Sequence, residues 1–291
     1  MDDPSVRGND LERALTDLRR INTLLGGYRA TGAVLPPLLR ARSNLRVLDV
    51  GTGTGDYPAR FVQQGRRLGT RVKAVGVDLN PVTVGRGRAW LDDTLPPALR
   101  PHVRLDIGDA LALPYADDAF DVAHAALFLH HVHGDDAVQL LREMDRVSRL
   151  GVLVNDLHRH PLAYAGIWAL SRLLRMSPMV QHDGPISVRR GFRRAELQTL
   201  AHRAGLSPPT VRWHWAFRWT LSTLPTAAWG LRPPLGSRSD RSTAREGNAP
   251  RPSGHNDHDD QQNNGARRIP QKGQQGTASK LTSMTTVEAP S

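Results

Sequence analysis

Residues 46–56 read Arg46-Val47-Leu48-Asp49-Val50-Gly51-Thr52-Gly53-Thr54-Gly55-Asp56. An aliphatic run passes into alternating glycines and then into a helical segment that extends to about Leu68. Strand, glycine turn and helix in this order let backbone N–H groups approach a ligand with no Cβ in the way. Such a turn serves two classes of nucleotide-like cofactor. Dinucleotide sites use G-x-G-x-x-G, in which the last glycine permits tight helix packing and the pyrophosphate rests on the helix N-terminus. Here the position that would complete that spacing is Asp56. A carboxylate there repels a pyrophosphate, and Asp49 before the loop suits a ligand with a positive end.

Working outward, Val72-Lys73-Ala74-Val75-Gly76-Val77-Asp78 reads as a second buried strand with an acid at its carboxyl end. Asn80 as cap and Pro81 as first helical residue then start a helix. Val103–Ile107, Phe120–Leu127 and Val152–Asn155 read as further strands, and Asp135–Ser148 as an amphipathic helix between the last two. Strands alternating with crossover helices imply a mostly parallel sheet covered on both faces. Upstream, Leu11, Leu15, Leu18, Ile21 and Leu25 fall on one helix face, with Asp10 as N-cap and Gly26-Gly27 as terminator. A second short helix is expected over Thr31–Arg40. Downstream, Pro161–Met176 reads as a broad apolar helix, Phe192–Ala204 as another ended by Gly205, and Thr210–Leu224 as strand, with Trp213, Trp215 and Trp219 alternating along it.

Val47 to Gly55 resembles motif I of the class I S-adenosylmethionine-dependent methyltransferases. Asp78, the Gly108-Asp109-Ala110 turn and Leu113-Pro114-Tyr115-Ala116-Asp117-Asp118-Ala119-Phe120-Asp121 follow in that family's order. The resemblance implies an α/β fold: a doubly wound, Rossmann-like, mostly parallel seven-stranded sheet with a helical N-terminal cover. It implies S-adenosyl-L-methionine as cofactor. Asp49, Gly51, Gly53 and Gly55 would hold its methionine end, Asp78 its ribose, and Asp109 with Ala110 its adenine, with Thr52 and Leu79 as further cofactor-binding candidates. Gly55 and Asp78 are 23 residues apart, near the roughly 20 of a ribose-binding acid after such a loop. Residues 154–161 and 182–190 are similar to bacterial small-molecule methyltransferases associated with polyketide and quinone-like metabolites. The Pro-Gly-Gly that ubiquinone-type enzymes carry before the fifth strand is replaced by Ser148-Arg149-Leu150-Gly151.

Methyl transfer from a sulfonium is an in-line displacement, so positioning dominates, and a hydroxyl acceptor gains from a base near neutrality. His130 and His131 after the fourth strand, and Asp156, His158 and His160 after the fifth, all fall at the carboxyl mouth of the sheet, where ligands bind. His131, His158 and Asp156 are the candidate catalytic residues, beside the alternative of proximity with no dedicated base. His124 within a strand reads as a packing residue and His133 as a turn residue. The histidines lack the H-E-x-x-H or carboxylate-rich spacing of a metal site, and no metal is expected.

The expected domains are a cover over 1–45, a methyltransferase domain over 46–230 with a lid at about 156–192, and a disordered tail over 231–291. The tail is rich in Pro, Gly, Ser, Gln, Asn and Arg and has few aliphatic clusters. The 291-residue chain has no cysteine, which excludes disulfides, thiolate metal sites and cysteine nucleophiles. Its net charge of +11 comes from scattered basic residues, all arginine except Lys73, Lys272 and Lys280. That scatter argues against a specific nucleic-acid track. The start Met1-Asp2-Asp3 lacks a signal pattern, and no long apolar run spans a membrane. A cytoplasmic protein is expected, acting on a small molecule, with peripheral contact to a lipidic substrate as a further role for 161–176. The function expected is methylation of a phenolic, polyketide or quinone-like acceptor on oxygen. The alternatives are an NAD(P)-binding oxidoreductase and a non-catalytic S-adenosylmethionine-binding protein.

Overall fold

The computed structural model describes residues 9–225, with side chains from Arg13 onward. The tail expected over 231–291 lies outside the described residues. Three helices, α1 (Asn9–Leu24), α2 (Gly27–Gly32) and α3 (Leu35–Arg40), precede β1 (Asn44–Val50). Alternation follows through α4 (Asp56–Arg67), β2 (Arg71–Asp78), α5 (Pro81–Thr94), β3 (Val103–Ile107), β4 (Phe120–Ala126), α6 (Gly134–Val147) and β5 (Ser148–Leu157). The chain then runs through α7 (Pro161–Leu173), α8 (Pro178–Arg190) and α9 (Arg194–Arg203) into a hairpin of β6 (Thr210–His214) and β7 (Arg218–Ser222).

The seven strands lie in the order β3-β2-β1-β4-β5-β7-β6. All pairings from β3 to β5 are parallel, and β7 is antiparallel to both β5 and β6. The sheet is therefore mixed α/β and Rossmann-like, and the order reverses between β1 and β4. Helices cover both faces because inner strand residues alternate between two cores. Leu48, Val50, Ala123, Ala125, Val152 and Val154 join the core with Leu140, Leu141 and Met144 of α6. Val47, Val122 and Leu153 join the other, with Phe61 and Val62 of α4 and Leu91 of α5. Leu140, Leu141 and Met144 are fully buried, each worth roughly 1.5–3 kcal/mol of transfer free energy.

Several local expectations are corrected. Asp10 lies inside α1 rather than capping it. The single helix expected over Thr31–Arg40 is two, because Gly26, left-handed at φ 68°, turns the chain directly into α2 and Val34 into α3. The stretch 210–224 is a tight hairpin rather than one strand. Ala216 and Phe217 both have positive φ at its turn, so Trp215 leaves the strand alternation. Residues 178–190 form a helix despite the internal Pro185, started by Pro178 and by the Ser177 hydroxyl, which accepts from Val180 N.

Candidate functional site

The glycine loop at the carboxyl end of β1 has the backbone its sequence requires. Gly51, Gly53 and Gly55 have φ of 66°, 57° and 76°, the left-handed region that glycine enters without steric cost. A Cβ on Gly51 would lie 2.3 Å from the Phe128 ring, whereas nothing stands within 4 Å of one on Gly53. The loop is thus packed from below at Gly51 and open at Gly53, a cradle a ligand can approach.

Asp78, at the carboxyl end of β2, ties to this loop. Its Oδ2 accepts from Gly53 N at 2.9 Å and its Oδ1 from Asn80 N at 3.0 Å. Burial pushes its carboxyl up from the usual value, opposed by these two N–H groups, and nearby Asp49 adds to the rise. Leu79 beside it is 70% exposed and Ile107 on the neighbouring strand 52%, an apolar rim suited to a flat ring. Asp109 is exposed and uses Oδ1 to accept from Leu111 N at 2.9 Å. It caps its own turn, with Ala110 half-buried after it.

Asp49 is 2% exposed and both its oxygens are engaged: Oδ1 with His124 Nδ1 at 2.6 Å, Oδ2 accepting from the Thr52 hydroxyl at 2.6 Å. The far nitrogen of His124 meets the Thr31 hydroxyl at 3.0 Å, so His124 is the packing residue expected. Asp56 opens α4 directly after the loop. Its Oδ2 accepts from the Tyr28 hydroxyl at 2.6 Å, and burial pushes its carboxyl up. Asp56 stands where the dinucleotide spacing needs a glycine, so the loop departs from that motif.

Beside the loop opens a cavity of about 860 Å³. Asp49, Gly51, Thr52, Gly53 and Thr54 form one end. Leu15, Leu18 and Ile21 of α1 and Leu25 just after it line it, together with residues of α7, α8 and the β6–β7 hairpin. The cover and the lid are joined above it. Asp17 accepts from Ser177 N at 2.7 Å, and Ala14 and Ile21 pack with Ile167, Val180 and Val188. Arg19 reaches down to the loop, its Nη2 donating to the Thr54 hydroxyl at 3.0 Å. The cavity thus joins the cofactor loop to an apolar chamber inside the fold, while Asp78, Leu79, Asp109 and Ala110 lie outside its lining, along the adjoining sheet edge.

The structure regroups the candidate catalytic residues. Asp156, fully buried on β5, binds His130: its Oδ1 meets His130 Nδ1 at 2.7 Å, and its Oδ2 accepts His130 N at 3.2 Å. Leu157 N also donates to Oδ1, at 2.7 Å. Burial pushes the Asp156 carboxyl up, but His130 and these N–H groups outweigh it and hold the carboxyl below its usual value. His130 Nε2, by contrast, is buried with no partner, and His130 lines the cavity. His131 also lines it, its ring 4.1 Å from that of His130. His158 is not brought to the cavity. It lies against Trp219 and His160, where burial and then His160 push its pKa down. Sequence reasoning placed His130 at this mouth without singling it out, and missed Arg19, Tyr28 and Arg218. Only Arg218, the first residue after the hairpin turn and 1% exposed, left a trace in sequence, as a charge inside an aromatic strand.

Part of the motif stretch has a structural explanation. Arg146 of α6 binds Asp117 and Glu143 and donates to the carbonyls of Leu113 and Tyr115. Asp121 accepts from Arg46 N and from Arg149. These acids staple the approach to β4 rather than face the cavity.

Comparison with known proteins agrees with this architecture. The family profile described as a methyltransferase domain matches residues 47–151. The demethylmenaquinone methyltransferase of Roseiflexus sp. (strain RS-1) is 36% identical over 200 residues, covering 64% of this chain and 76% of that protein. The methyltransferase GfsG of Streptomyces halstedii is 40% identical over 106 residues, 36% of this chain and 34% of that one. Among solved structures, a SAM-dependent methyltransferase from Aquifex aeolicus superposes with a TM-score of 0.52 at 14% identity, covering 74% of this chain and 98% of that one, and shows the shared fold. The methyltransferase profile and relatives set aside the oxidoreductase alternative, and the glycine cradle open at Gly53 leaves room for a ligand. With the required loop, sheet order and relatives together, the chain belongs to the class I S-adenosylmethionine-dependent methyltransferases.

Proposed function

We propose that this methyltransferase acts on a small, largely apolar acceptor carrying an acidic hydroxyl, phenolic, polyketide-derived or quinone-like, and methylates it on oxygen. The observation that carries this reading is the cavity: its largely apolar lining from α1, α7 and α8 includes the glycine loop and His130, whose Nε2 is buried without a partner. Bound S-adenosylmethionine supplies an electrophilic methyl on a sulfonium. The chain's own residues do the rest. Gly51, Thr52 and Gly53 shape the loop for its methionine end, with Asp49 held beneath by His124. Asp78 faces the ribose, and Leu79, Asp109 and Ala110 the adenine. His130, fixed by Asp156 through Nδ1, presents Nε2 as acceptor for the hydroxyl proton. Closure by α1, α7 and α8 excludes water from the chamber.

Leu162, Tyr164, Trp168 and Leu173 of α7 are exposed, which supports collection of a lipidic acceptor at a membrane surface. No helix among the described residues is long and apolar enough to cross a membrane. Similarity to a demethylmenaquinone methyltransferase favours a second reading, in which the ionised ring accepts the methyl on carbon.

The test is incubation with trideuteriomethyl-labelled cofactor and a panel of naphthols, hydroxynaphthoquinones and hydroquinones, read by mass spectrometry and NMR. A labelled methyl ether is expected. Label on a ring carbon selects the second reading, and no labelled product from any member contradicts both.

A further inference from the structure

Arg218 opens β7, opposite Leu157 of β5, and its side chain is almost wholly inaccessible to solvent. Its Nη2 donates to Asn22 Oδ1 at 3.3 Å, while Nε and Nη1 have no partner. Among the described residues no carboxylate forms an ion pair with it. Asp156 is near enough to favour its charge but is spent on His130 and backbone N–H groups. The other groups facing it are the phenols of Tyr57 and Tyr28, which burial pushes up and keeps neutral. A guanidinium stays protonated at any physiological pH, so the cavity wall holds a dry positive charge with donors left over. Leaving such a charge uncompensated is costly, and an anion placed against it is held far more strongly than in water.

We propose that Arg218 binds an oxyanion of the acceptor, an enolate, phenolate or carboxylate, and so selects ionised acceptors over neutral ones of the same shape. This rests on the cavity being the acceptor chamber. The other source of such an oxyanion is the cofactor's own carboxylate. Placement favours the acceptor. Arg218 lies on the β5–β7 side of the sheet, beyond β4 from the strand carrying Asp78, and close to the His130–Asp156 pair. The cation at the glycine loop is Arg19, bound to Thr54.

The test is calorimetric binding to the full chain saturated with S-adenosylhomocysteine. The ligands are 2-hydroxy-1,4-naphthoquinone, ionised at neutral pH, and its neutral analogue 2-methyl-1,4-naphthoquinone. Wild type is expected to favour the ionised ligand by about tenfold or more, as a charge-assisted pair in a dry site requires. Arg218→Met is expected to abolish the preference, and Arg218→Lys to keep part of it. Asn22→Asp, which places a carboxylate on the guanidinium from within, is expected to abolish it without altering the arginine, and carries the test should Arg218→Met fail to fold. Affinity for S-adenosylhomocysteine is expected to stay unchanged in all three. A preference absent from wild type, or surviving in Arg218→Met or Asn22→Asp, overturns the assignment. So does a parallel loss of S-adenosylhomocysteine affinity, which would give Arg218 to the cofactor. Because binding is read without turnover, failure of the labelled-methyl experiment counts against the proposed reaction and leaves this pairing standing.

Discussion

Asp156 holds His130 at two points, Oδ1 against Nδ1 at 2.7 Å and Oδ2 against the backbone N–H at 3.2 Å, so the ring's orientation and tautomer are set together. With Nδ1 as the donor, Nε2 is left with its lone pair as a proton acceptor. Asp156→Asn keeps the shape but removes the charge that stabilises the protonated ring. Its kcat is expected to fall by about 10²–10⁴-fold, the range for general-base assistance, with cofactor affinity unchanged. His158→Gln, at a residue off the cavity, is expected to keep kcat within about twofold. Steady-state kinetics on both variants checks this, and equal losses would return His158 to the site.

Asp78 ties the glycine loop to the start of α5, since its two oxygens hold Gly53 N and Asn80 N, and it is the proposed ribose ligand. Asp78→Ala is expected to weaken cofactor binding by about 1.5–3 kcal/mol, the worth of a hydrogen bond to a charged group. Asp78→Asn separates the two roles, because its amide oxygen still accepts from one backbone N–H while the charge proposed to face the ribose is lost. Calorimetry with S-adenosylhomocysteine on both variants is the measurement. Unchanged affinity in both contradicts the ribose assignment.

Asp56 gives a pH signature. Burial raises its folded pKa above the ordinary carboxylate value, with the Tyr28 hydrogen bond opposing and Asp49 adding to the rise. A carboxyl raised on folding contributes stability that is fully present below its unfolded pKa and lost as pH rises through the folded one. Asp56→Asn keeps an acceptor for the Tyr28 hydroxyl and cannot ionise. Its melting temperature relative to wild type is expected to climb from about pH 4, the unfolded carboxylate value, toward neutrality. A difference that stays flat or shrinks over that range contradicts a buried, raised Asp56.

The half of the molecule from β1 to β5 was legible in sequence because its strands are short, largely aliphatic runs, and β1, β2 and β3 are closed by a glycine or an acid whose backbone demand is local. Gly51, Gly53 and Gly55 announce their positive φ, and Asn80-Pro81 announces the start of α5. The proposed His130–Asp156 pair was only half legible. Asp156 and His130 both fall at strand ends, but their contact depends on β4 and β5 being neighbours and on the 3₁₀ turn Leu129–His131 that swings the first histidine inward and leaves His131 beside it. Sequence spacing treats the two histidines alike. That His158 stands apart from the cavity lining was hidden for the same reason: its bridge to Phe192 and its packing on Trp219 are long-range. The β6–β7 turn was missed because Ala216 and Phe217, residues that rarely adopt positive φ, carry it. Arg218 showed in sequence only as a charge inside an aromatic strand, and only the assembled fold shows that no carboxylate among the described residues pairs with it.

The most direct test of the central claim, that His130 takes the acceptor proton inside this cavity, is single-turnover methyl transfer by His130→Gln with cofactor and a hydroxylated naphthalene acceptor both saturating. A fall in the transfer rate of about 10²-fold or more is expected, at the lower end for loss of a general base, with both ligands still bound and the melting temperature kept. A His130→Gln enzyme that transfers methyl at the wild-type rate contradicts the account.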